Sequence, residues 1–350
     1  MRIAICCVPT RAAFLVLLLT ASVFAPIRSQ PQVPVAAKPW RIRAVIIATF
    51  PSEFNRWAER DHLTESINLP GVTLPLHANA EHTVLGMVSG TSLLNSSAST
   101  MALGLDQRFD LTHAYFIING IAGVDPLQAS IGSAAWADFV VGDVLKEIDI
   151  REAPADWPYG LFPNGATAPN PTTVRPGNNV FAVNPKLTAW AFEQTHELKL
   201  PDDPAVAALR SAYTGYPKAM MPPFVLIGDD YASDHYWHGK ILTRFARDFV
   251  HVYTGGKGTF AMTEMEDSGF MNSLERLDRI HRVDINRVMV LRTASNFSMQ
   301  SPSGTAVESL NGHYVGGGTL ALESAWLCGS VVLHNILEHW DRMYDHIPGE

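Results

Sequence analysis

Short, uninterrupted apolar runs recur along this sequence at Ala44–Thr49, Val84–Ser89, Ala114–Ile118, Phe139–Val144, Phe224–Ile227 and Val288–Thr293. Each has strand length and none alternates with polar residues, so each reads as a strand buried on both faces, as parallel strands are. Helical spacing fills the gaps. Pro51–Trp57 begins one helix, and Phe270, Leu274, Leu277 and Ile280 form the apolar stripe of another. Further helices are expected at Leu187–Leu198 and Pro204–Tyr213, and one or two long packing helices over Thr319–His346, where His334 and His339 read as hydrogen-bonded polar positions. The pattern predicts an α/β fold: a mainly parallel, twisted central sheet flanked by helices, with its site at the carboxyl ends of the strands.

The first residues belong to targeting. Arg2 and Arg11 make a positive start and Ala12–Ala25 is an apolar run short for a bilayer span, followed by Pro26. This reads as a signal peptide over 1–29, cut after Ala25 or, since that would put Pro26 first, near Ser29, and so as a secreted or periplasmic protein; an uncleaved anchor is the alternative. A tether follows over 30–41, and the domain runs over 42–350. Cys6 and Cys7 fall in the leader, leaving Cys328 in the mature chain, inside an apolar run where an inert buried thiol is usual. Beyond the leader no stretch has the continuous apolar length of a membrane helix, so no span is expected after cleavage. With 34 Asp and Glu against 26 Lys and Arg and no basic block, nucleic acid is excluded as a partner.

The chemistry concentrates where strands hand over to helices. Thr263-Glu264-Met265-Glu266-Asp267-Ser268-Gly269-Phe270 follows the extended run Thr259–Met262 and places carboxylates in a first helical turn. The helix dipole alone favours acids there. A second strand, Val288–Thr293, runs into Ala294-Ser295-Asn296-Phe297 and delivers an amide where parallel strands present site residues. Glu53 sits just past the first strand, again in a helical first turn. Val84–Ser89, then Gly90-Thr91-Ser92 and a helix of small residues, suits an anion or a polarised water at the backbone N–H groups; close helix packing is the other reading. The order Tyr115–Ile118, Asn119-Gly120-Ile121-Ala122-Gly123, then Gly142-Asp143-Val144, reads as a strand entering a glycine turn.

In these segments, and in their order, the chain from about Arg43 onward resembles the nucleoside phosphorylase and nucleosidase family. Within it the chain looks most like the branch of purine nucleoside permeases, which carries the Tyr-Trp-His-Gly element seen at Tyr236–Gly239. The resemblance implies one nucleoside-phosphorylase-like domain, a homo-oligomer, and a purine nucleoside as ligand. It implies that Met265 and Glu266 grip the ribose, Ser295 and Asn296 meet the purine, Glu53 activates water, and Ser89, Gly90, Thr91, Asn119 and Gly120 surround the water or phosphate. Phosphorylases have an arginine where Asn119 stands, and without a bidentate cation a phosphate site loses its strongest contacts. That favours water, unless Arg56 or a partner subunit's arginine restores the cation. An amide at Asn296 donates to the base but cannot protonate it, which favours inosine or guanosine.

Residues 153–185, rich in Pro, Asn, Gly and Thr, read as a long loop insertion. After Phe224–Ile227 come Tyr231, Tyr236 and Trp237, of which Tyr231 is the expected purine-stacking ring; an aromatic subunit interface is the alternative. Asp234, His235 and His238 lack a third ligand in register, so no metal is expected. No cofactor is expected beyond phosphate as a co-substrate. The expected function is binding of a purine nucleoside and cleavage of its N-glycosidic bond, by water or by phosphate. The alternative is a secreted binding component that delivers the nucleoside intact. An esterase-like hydrolase is discounted, since no Gly-x-Ser-x-Gly element is present.

Overall fold

The computed structural model describes residues 38–166, 179–312 and 316–350. The expected signal peptide at 1–29, Cys6 and Cys7, most of the 30–41 tether and part of the 153–185 insertion lie outside the described residues.

The apolar and extended runs become β1 (Ala44–Ala48), β2 (Val84–Val88), β3 (Tyr115–Val124), β4 (Phe139–Gly142) and, after β5 (Asp229–Ala232), a strand that no apolar run marked, β6 (Phe260–Glu264) and β7 (Val288–Phe297). They belong to a twelve-stranded sheet among the described residues. Its centre is parallel: β2 beside β1, β1 beside β3, β3 beside β7, and β4 beside β5 beside β6. The end of β6 crosses back antiparallel onto β3, pairing Met262 with Val124 and Thr263 with Gly123, which draws the two halves together. The run at Phe224 becomes Val225–Ile227, parallel to Ala134–Trp136.

Both faces of the sheet are covered, which explains why the runs do not alternate. Val45 and Ile47 of β1 pack with Phe116, Phe270 and Leu274 towards α3 (Asp267–Arg279). Ala44 and Ile46 pack with Phe54, Trp57 and Val332 towards α1 (Pro51–Arg60) and α4 (Gly317–Glu338). Each such side chain contributes about 1.5–3 kcal/mol of burial. α4 is the one helix among the described residues long and apolar enough by composition to cross a membrane, yet Ala325, Cys328, Leu333 and Ile336 are buried as in a core helix. Burial pushes the Cys328 thiol up to about 12, as expected for an inert core cysteine.

Several expectations are corrected. The glycine turn after Ile118 does not form; β3 continues for ten residues through Asn119, Gly120 and Gly123. Gly120 is there for space, because a Cβ would collide with Arg292 Nη1 and Glu53 Oε1. Glu266 is the N-cap residue of α3 and Asp267 its first residue, while Glu264 ends β6, so the carboxylates straddle the junction and do not share one helical turn. Ile280 lies beyond α3 and is exposed, outside the apolar stripe. The 153–185 insertion is partly sheet: Leu161–Pro163 pairs with Leu145–Glu147 and Val180–Ala182 with β4, anchored by buried Trp157 and Tyr159. Gly269 allows α3 to touch α2 (Leu93–Leu105), since a Cβ there would collide with Ser96 Oγ. Close packing is thus one use of the small residues.

Candidate active site

β1 ends at Ala48, and α1 starts at Pro51, which pre-sets the first helical turn. This turn carries Glu53 back under the strand ends, where it is buried. Its Oε2 accepts from Thr49 N at 2.7 Å and Thr49 Oγ1 at 2.5 Å, and its Oε1 from Ile121 N at 2.7 Å. Burial pushes the carboxyl above its usual range; Arg292 and these donors pull the other way.

Arg292 is the feature that the sequence reading missed. It occupies a central position of β7 and is 1% exposed. Nε donates to Asp267 Oδ2 at 2.9 Å and Nη2 to Asp267 Oδ1, a bidentate pair. Nη2 also lies 3.6 Å from Glu264 Oε2 and 3.7 Å from Glu266 Oε2. A charged side chain inside an apolar strand run was the available signal, because a buried guanidinium requires carboxylate partners.

Glu264 closes the start of α3, its Oε2 accepting from Glu266 N and, at 2.8 Å, from Asp267 N. Glu266 Oε2 accepts from Met265 N at 3.2 Å and its Oε1 from Ser92 N at 3.3 Å. Burial raises the Glu266 carboxyl to about 7, with Arg292 opposing and Asp267 and Glu53 adding. Asp230 of β5 lies against Asp267 and Glu264, fully buried. Five buried carboxyls, Glu53, Asp230, Glu264, Glu266 and Asp267, therefore share one guanidinium. Such a cluster avoids the large cost of uncompensated buried charge by keeping protons. Asp230 and Glu264 are both pushed well above the usual carboxylate range, burial being the main cause.

The β7 register shifts between Ala294 and Asn296, and the irregularity turns Asn296 to the cleft. Ser295 Oγ lies 2.9 Å from Asn296 Oδ1, while Asn296 Nδ2 donates to Phe297 O at 3.0 Å and Tyr236 Oη at 3.2 Å. Asn296, Met265, Thr263, Tyr236 and His235 line a cavity of about 30 Å³. Small-molecule sites run to about 300 Å³ and more, so this cleft is nearly closed.

The structure brings together Glu53, Gly120 and Glu266 around Arg292, and Met265 with Asn296 at the cleft. It separates others. Asn119 faces the opposite side of β3 from Gly120, where its Oδ1 accepts from Trp57 Nε1 and its Nδ2 donates to Ala325 O, holding α1 and α4. The N–H groups of Ser89 and Gly90 are taken by Ala48 O and Thr49 O, and the Ser89 hydroxyl donates to Gly90 O. Thr91, exposed, accepts from Asn95 through its carbonyl. Beyond it, Leu93 N donates to Asp234 Oδ1 at 2.9 Å and Leu94 N to Ser92 Oγ at 3.3 Å, so protein oxygens cap α2. Arg56 pairs with Glu323 and does not supply the missing cation. Tyr231 is not the stacking ring: it is 2% exposed, its ring among Trp237, Phe245 and Phe249, whereas Tyr236 is 54% exposed at the cleft. Among the described residues no group of His, Cys, Asp and Glu is arranged to hold a metal ion.

The family model described as purine nucleoside permease (NUP) matches residues 41–348. A purine nucleoside permease of Candida albicans is 30% identical over 323 residues, covering 88% of this chain and 79% of the relative. A probable purine nucleoside permease of Schizosaccharomyces pombe is 30% identical over 316 residues, covering 85% of this chain and 90% of the relative. Among solved structures, the futalosine hydrolase of Helicobacter pylori superposes with a TM-score of 0.52 at 13% identity, over 84% of this chain and 98% of the other. The 5′-methylthioadenosine/S-adenosylhomocysteine nucleosidase of the same organism gives a TM-score of 0.51 at 16% identity, over 84% and 99%. The fold is that of the nucleoside phosphorylases and nucleosidases.

Proposed function

The chain belongs to the purine nucleoside permease family, and from that membership we propose that it binds a purine nucleoside at the β6–α3 junction and hydrolyses its N-glycosidic bond. The observation that carries this reading is the cluster itself: Gly120 leaves room for buried Glu53 beside Arg292, and Glu266 lies 3.7 Å from the same guanidinium. Glu266 accepts from the ribose hydroxyls, Asn296 donates to the base, Tyr236 covers the base, and Glu53 takes a proton from the attacking water. Positive charge developing on the sugar is favoured by the surrounding carboxylates.

Water is preferred to phosphate for two reasons. The cluster's guanidinium is already held bidentately by Asp267. The first N–H groups of α2, a natural anion site, already donate to Glu266, Asp234 and Ser92. Capture and delivery of the intact nucleoside is the second reading, favoured by the name its relatives carry and by the nearly closed cleft.

Because the Glu266 carboxyl sits at about 7, ribose binding depends on pH in a definite sense. The ionised form accepts two hydroxyl hydrogen bonds, so affinity for inosine rises as pH goes from 6 to 8, read by titration calorimetry on protein that also carries Glu53→Gln, so that inosine stays intact. Glu266→Gln binds inosine about 10- to 100-fold more weakly, the worth of a hydrogen bond to a charged group, and loses the pH dependence. Equal affinity in variant and parent removes Glu266 from the ribose site.

A further inference from the structure

Purine departure leaves negative charge on the base, and Asn296 has no proton to give. The residue positioned to give one is His235. β4 and β5 are parallel with Gly142 opposite Ala232, so the next residues, Asp143 and Ser233, emerge side by side at the strand ends. Ser233 Oγ lies 3.0 Å from Asp143 Oδ2 and 3.0 Å from His235 Nδ1, and His235 Nδ1 lies 3.7 Å from the same Asp143 oxygen. Both contacts fall on Nδ1. They hold Nδ1, and the side chain, 61% exposed, lines the same cavity as Asn296 and Met265.

We propose, on the hydrolytic reading above, that His235 is the general acid for the departing purine and that Asp143 is its positioning residue, holding Nδ1 so that Nε2 carries the transferable proton. As water oxygen bonds to C1′, the C1′–N9 bond breaks and its electron pair moves into the base. The Nε2 proton goes to N7, Glu53 takes the proton of the water, and neutral His235 is reprotonated from solvent. The titratable groups around the ring are Asp143, Glu264 across the cleft, and Asp234 and Tyr236 on its own segment. Asp234 is directed away, accepting from Leu93 N. A hydrogen-bonded partner at Nδ1, with Nε2 left to carry a proton, is an arrangement that serves acid catalysis.

The test compares inosine with 4-nitrophenyl β-riboside, whose phenolate leaves unprotonated. His235→Gln lowers kcat for inosine about 100- to 1000-fold, the usual worth of a positioned acid. It keeps nitrophenyl riboside cleavage within about fivefold, which also shows that the variant is folded. Asp143→Asn lowers kcat for inosine and spares the nitrophenyl riboside, since Nδ1 is then less firmly held. Equal losses on both substrates, or an unchanged inosine rate, overturn the assignment while leaving hydrolysis intact; a parent protein that cleaves neither substrate overturns both.

Discussion

Arg292→Met costs about 3–5 kcal/mol of stability at pH 8, the range for breaking a buried ion pair from one side. The side chain is fully buried and is the cation that Asp267, Glu264 and Glu266 share. Methionine fills the volume but leaves those carboxyls unmatched. The loss depends on pH, because the unmatched carboxyls can take up protons. It is smaller at pH 5.5 than at pH 8, as denaturant midpoints at the two values will read. The parent shows the same sense more weakly. A carboxyl such as Glu266, raised to about 7 when folded, gives up its proton at lower pH when unfolded. Its contribution is full below the unfolded carboxylate range and is lost as pH rises through 7. A loss under about 1 kcal/mol at pH 8, the worth of a surface pair, contradicts the account of the cluster.

Glu53→Gln lowers kcat for inosine about 100- to 10,000-fold with little change in KM, the signature of a general base acting in the transition state. Shape is kept, and the amide oxygen still accepts from Thr49 or Ile121. What disappears is the ability to take a proton from water at the carboxylate for which Gly120 makes room. A rate within about threefold of the parent, far below a general base's usual worth, assigns Glu53 to structure, as a cap on Thr49 and Ile121.

Much of this was legible in the residues, and the misses have physical causes. The unalternating runs marked the parallel strands because both faces of the sheet are covered. Glycines at 120 and 123 suggested a turn, yet they sit mid-strand because Glu53 and Arg292 crowd one and Asn296 and Thr263 approach the other. Local composition cannot tell a glycine needed for backbone freedom from one needed for space. Tyr231 and Asp230 alternate on β5, so the register that sends Asp230 into the acidic cluster sends Tyr231 into the aromatic core. Nothing local fixes that register. The placement of Glu53, Met265, Glu266 and Asn296 was readable because each stands at a strand end or just beyond it. Arg292, Asp230 and Asp267 acquire meaning only when three strands and a helix meet.

The central claim is tested most directly by incubating the protein with inosine and following free hypoxanthine with and without inorganic phosphate. The account predicts release at the same rate in both, with ribose as the second product. Release only with phosphate, or inosine bound and recovered intact, contradicts it.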